Sequence, residues 1–69
     1  MELKYELYDL ILNNVEYDHI AITSLRIAQK AETPLELIEA IDRISQGTGI
    51  DNFSDIRIKA VRLYNESRW

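Results

Sequence analysis

The chain has 69 residues, of which 46% are hydrophobic and 29% charged, with a net charge of −4 and no cysteine. That length gives one domain with a modest core, and the absence of thiols excludes disulfides and thiolate metal sites. A single histidine makes structural zinc improbable, and no apolar stretch approaches the ~18 residues that a bilayer-spanning helix needs.

Residues 3–15 read as the first helix. Leu3, Leu7, Leu10 and Ile11 recur three and four apart and form one stripe. Tyr8, Leu12 and Val15 form a second stripe beside it, so the apolar arc is wider than a one-sided surface helix requires. Glu16-Tyr17-Asp18 is the first connection, with Asp18 as the expected cap of a second helix over 19–31. There Ile20, Ser24, Ile27, Ala28 and Ala31 share one side, and His19, Thr23, Arg26 and Lys30 share the other.

The third helix, 34–46, has the clearest signals in the chain. Thr33 is a natural N-cap, Pro34 suits the first helical position, and Glu36 stands where a capping box places a glutamate that reaches back to the cap amide. Leu37, Ile38, Ile41 and Ile44 form its stripe. Gly47 is the expected left-handed residue that ends it. The loop that follows should turn Ile50 and Phe53 inward. Ser54 is the expected cap of a last helix, 55–67, whose main stripe is Ile56, Ala60, Leu63 and Tyr64. Ile58 and Val61 point almost the opposite way, and Asp55 and Lys59 are spaced as an i, i+4 ion pair. The fold expected is therefore all-α, a single compact domain of four short helices over residues 1–69.

Chemistry finds little support in the residues. Gly47-Thr48-Gly49 lacks the lysine and the further glycines of a phosphate loop. A calcium loop starting at Asp42 would put Ile44 third and Phe53 twelfth, and neither can ligate a hard cation. His19 beside Asp18 does not make an oriented pair, because neighbours on a helix point about 100° apart. Glu36 and Glu39 lie on an exposed face without the burial that tunes paired carboxylates. No enzyme, no cofactor and no metal is expected.

Residues 24–43 can be laid on a helix-turn-helix template, with Ile27, Ala28, Ala31, Ile38 and Ile41 at its apolar positions. Glu32 stands where the turn prefers glycine, and the reading helix would expose Glu36 and Glu39. Residues 1–53 carry ten acidic and four basic side chains, a poor match to phosphate. Arg26, Lys30 and Arg43 would be the DNA contacts in that alternative.

The reading favoured by the sequence is a small regulatory or adaptor protein that acts by protein–protein binding. Its apolar excess, at Tyr8, Leu12, Val15, Ile58 and Val61, is the expected binding surface, and a homodimer is the expected use of it. A helix-turn-helix DNA-binding regulator is the first alternative, and a structural subunit of a larger assembly is the second. With no basic segment followed by an apolar run at the N-terminus, a cytoplasmic location without membrane contact is expected.

Overall fold

The structure, a computed structural model, describes residues 2–67. Four helices carry the chain: α1 (Glu2–Asn14), α2 (Asp18–Lys30), α3 (Pro34–Thr48) and α4 (Ser54–Glu66). The described residues contain no strand, and the all-α expectation holds with most helix ends within one or two residues. Each helix packs on its neighbours in the chain, and α1 also packs on α4, so the four close into a ring. The radius of gyration is 11.3 Å, close to the ~11 Å of a compact chain this long.

Periodicity explains which side chains fill the ring. Leu7 and Ile11 come from α1, Leu37, Ala40, Ile41 and Ile44 from α3, and Ile56 and Ala60 from α4. A fully buried leucine or isoleucine contributes about 1.5–3 kcal/mol, which makes α3 the largest contributor. The second helix buries only the small residues Ser24 and Ala28, followed by Ala31 at its end. Small side chains there let its backbone approach the ring closely. Phe53 is 2% exposed and Ile50 packs against the core, so the loop before α4 closes one end as its sequence implies.

The start of α3 follows the cap reading in part. Thr33 Oγ1 accepts from the Glu36 amide at 3.2 Å. The Glu36 carboxylate, however, accepts a hydrogen bond from the Thr33 hydroxyl at 3.0 Å and does not reach the Thr33 amide. The end of α3 corrects the sequence. The helix runs through Gly47 to Thr48, and Gly49, at φ 69°, is the left-handed residue. Thr48 explains the shift: its hydroxyl donates to Ile44 O at 2.8 Å and accepts from the Ile50 amide at 3.3 Å. That holds position 48 in the helix and moves the turn to the second glycine.

Two other caps differ from expectation. Tyr17 is the N-cap of α2 and makes no side-chain cap bond, while Asp18 is the first helical residue. Its carboxylate still lies in the first turn, where negative charge is favourable. Phe53 is the N-cap of α4, again without a side-chain cap. Ser54 Oγ donates to Asp51 O at 3.3 Å instead. Burial of the Phe53 ring fixes where the chain enters α4.

Polar links tie the ring at its rims. Arg57 Nε donates to Asp42 at 2.8 Å, joining α4 to α3, and that hydrogen bond, with the charge of Asp42, raises the Arg57 pKa further. Lys59 pairs with Glu6 of α1 at 3.2 Å rather than with Asp55. The packing of α1 on α4 makes the interhelical partner available. Asn52 Nδ2 donates to Asn14 Oδ1 at 2.7 Å, tying the last loop to the end of α1.

Candidate functional site

Helix α1 has two partners, and their positions set what it leaves open. Glu6 faces α4 through Lys59, and Lys4 Nζ donates to Gln29 O of α2 at 2.7 Å. Leu7 and Ile11 point into the core between those two directions. At about 100° per residue, Tyr5, Tyr8 and Leu12 then lie on the α2 side of α1 and turn outward. Tyr5 is 66% exposed and Leu12 62%, while Tyr8 is half-buried against the core. The Tyr5 and Tyr8 rings meet edge to face with centroids 6.0 Å apart.

Across the seam, α2 supplies a matching row. The Lys4–Gln29 bond ties the start of α1 to the end of α2, so the two helices run antiparallel. Leu25 is half-buried and Ile22 is 51% exposed. Tyr5, Tyr8 and Leu12 on one helix and Ile22 and Leu25 on the other are thus the apolar residues that these two packed helices leave partly or mostly in solvent. Tyr17, 65% exposed, lies at the connection and lines a separate pocket with Val15, Ile20 and Ile50, and its ring lies 6.2 Å from that of His19.

The five residues that the sequence proposes for binding do not share a surface. Tyr8 and Leu12 lie on the seam. Val15 is half-buried against the core just beyond α1. Ile58, 53% exposed, and half-buried Val61 lie on the outer side of α4, away from Lys59 and its contact with α1. The ring separates α4 from the α1–α2 seam. Sequence reasoning missed Tyr5, Ile22 and Leu25. The signal was there: Tyr5, Tyr8 and Leu12 stand at i, i+3 and i+7, as do Ile22, Leu25 and Gln29. Which helix packs beside which was not readable from the spacing alone.

The residues of the DNA-binding alternative are placed differently. Lys30 and Arg43 line a cleft of about 200 Å³ between α2 and α3, together with Ile27, Ala31, Glu36, Glu39 and Ala40. Two carboxylates thus stand beside two cations, and the cleft carries no net positive charge. Arg26 is exposed and is not part of its lining.

Among the described residues, no three metal-ligating side chains cluster, and no helix is long and apolar enough to cross a membrane. No protein-family model, curated protein or solved structure matches this chain.

Proposed function

We propose that this protein is a small, non-enzymatic regulatory or adaptor protein that works by binding another protein through the α1–α2 surface. The observation that carries the reading is the exposure of Tyr5, Leu12 and Ile22 around half-buried Tyr8 and Leu25. Single exposed apolar residues are ordinary, but a group of them on two packed helices, with aromatic rings among them, is typical of an interface core. Tyrosine is also among the residue types that dominate binding energy when an interface closes over them.

Two further features support this reading over the others. All four charged side chains of the α2–α3 cleft are exposed, and an exposed cleft lacks the exclusion of water that catalytic sites use. Its balanced charge is also a weak attraction for phosphate, which nucleic-acid binding needs in quantity. A pull-down from the native host with wild type and Leu12→Glu tests the proposal. A protein retained by wild type and lost by the variant is the expected result. A partner held equally by both would place binding elsewhere on the molecule.

A further inference from the structure

A cavity of about 290 Å³ opens at the end of the ring where α1 and α3 finish. Val15 and Tyr17 from the first connection, Ile20 from the start of α2 and Ile50 from the last loop supply its apolar lining. Asn14 and Thr48 also line it, but their side chains are spent within the fold. Asn14 donates to Leu10 O and accepts from Asn52, and Thr48 donates to Ile44 O and accepts from the Ile50 amide. Glu16 completes the lining, and its exposed carboxylate has no hydrogen bond or ion pair among the described residues. The cavity therefore offers an occupant an apolar wall and one free carboxylate at its mouth.

The surround of the cavity carries one sign. Two stretches meet at this end, 13–25 and 44–56, joined by the 2.7 Å bond from Asn52 to Asn14. Between them they hold Glu16, Asp18, Asp51 and Asp55, all exposed, and no lysine or arginine. The one histidine, His19, is counted neutral. The cation nearest to Asp55 in the chain, Arg57, is bound to Asp42. Asp18 and Asp55 sit in the first turns of α2 and α4, where the helix start offsets a negative charge. Glu16 and Asp51 lie in the connections and have no such offset. In addition, α1 and α3 both finish here without a basic residue in their last turns, so the negative ends of two helix dipoles stand at the same end of the ring.

From this apolar cavity in an acidic surround we propose that the end of the ring receives a basic segment of another protein. One large apolar side chain of that segment fills the cavity, and a lysine or arginine beside it meets Glu16. Charge complementarity of this kind steers association and rejects acidic competitors. The exposed Tyr17 ring adds a face to which a cation is drawn within about 6 Å. Size points to a side chain as the occupant. Small-molecule sites span ~300–1,000 Å³ and close around the ligand, whereas this cavity is smaller and open to solvent. Asp51 and Asp55 line the adjoining cleft with Asn14, so the acidic surround continues where a small ligand does not reach and a peptide chain does. The contact lies apart from the α1–α2 surface, and the proposal stands whether or not that surface binds.

Amide chemical shifts of the labelled protein, titrated with short capped peptides, test it. The first peptide is lysine–leucine–phenylalanine–lysine, and its controls are lysine–alanine–alanine–lysine and glutamate–leucine–phenylalanine–glutamate. Saturable shifts at Val15, Tyr17, Ile20 and Ile50 are expected with the first peptide and with neither control. Glu16→Lys, at an exposed position, is expected to weaken that binding about tenfold, and Tyr17→Ala to weaken it by a smaller factor. Leu12→Glu is expected to leave it unchanged, which separates this contact from the α1–α2 surface. No saturation by the first peptide at millimolar concentration would overturn the proposal. So would shifts centred away from the cavity, an equal response to the alanine peptide, or binding indifferent to Glu16→Lys. Shifts at the same residues that follow protein concentration alone would give the cavity to a second copy and overturn it too.

Discussion

Helices α3 and α1 have nearly the same hydrophobic content and use it differently. Helix α3 buries Leu37, Ala40, Ile41 and Ile44, half-buries Ile38 and leaves only Leu35 in the open. Helix α1 buries Leu7 and Ile11, half-buries Leu3, Tyr8 and Leu10, and leaves Tyr5 and Leu12 in solvent. The difference lies in the width of the apolar arc. A stripe as narrow as that of α3 is satisfied by the ring. An arc as wide as that of α1 extends past it, and the helix packed beside it, α2, leaves Ile22 in solvent as well. The lesson is that one helix holds the fold while its diagonal neighbour carries surface to spare.

The comparison is broken most severely from the α3 side. Ile41 is 1% exposed, and Ile41→Ala should cost about 2–5 kcal/mol, a large share of what a chain of this size has. Chemical denaturation followed by circular dichroism reads it, and a loss under 1 kcal/mol on the same scale would remove α3 from the centre of the account.

The glycines at the end of α3 sharpen the comparison with opposite signs. Gly49→Ala puts a Cβ on a backbone at φ 69° and should cost about 1–2 kcal/mol. Gly47→Ala, inside the helix with nothing within 4 Å of the new Cβ, should stabilise, by about 0.5–1 kcal/mol. Equal effects at both would show that the helix does not end where Thr48 and Gly49 place its end. Thr33→Ala comes next, with an expected loss of about 1 kcal/mol from the cap at the start of α3. The smallest expected effect on folding is at Leu12. Leu12→Ser, at a site mostly in solvent, should change stability by no more than about 0.5 kcal/mol. A much larger loss would mean that Leu12 belongs to the protomer core.

Residue types and spacing were enough to read four helices, the stripe of α3 and the inward turn of Phe53. Local competition hid the rest. Gly47 and Gly49 are both plausible helix ends, and only the Thr48 hydroxyl, bonded on both sides, decides between them. Asp18 and Ser54 are good capping types, yet Tyr17 and Phe53 take the cap positions. Lys59 had a favourable partner in Asp55 four residues away, and tertiary packing supplied Glu6 in its place. The candidate surface was half legible for the same reason. Tyr8 and Leu12 were visible as an apolar excess on α1, but their neighbours Ile22 and Leu25 belong to another helix. Ile58 and Val61 looked equivalent in the sequence and lie on a separate face, and only the order of helices around the ring distinguishes them.

The central claim is that the apolar surplus of α1, shared with α2, is the working surface of the protein. Photo-crosslinking in the native host from position 12, with position 58 as its counterpart, tests it most directly. The account predicts capture of a protein from position 12 and none from position 58. Capture from position 58 alone, or from neither position, would contradict it.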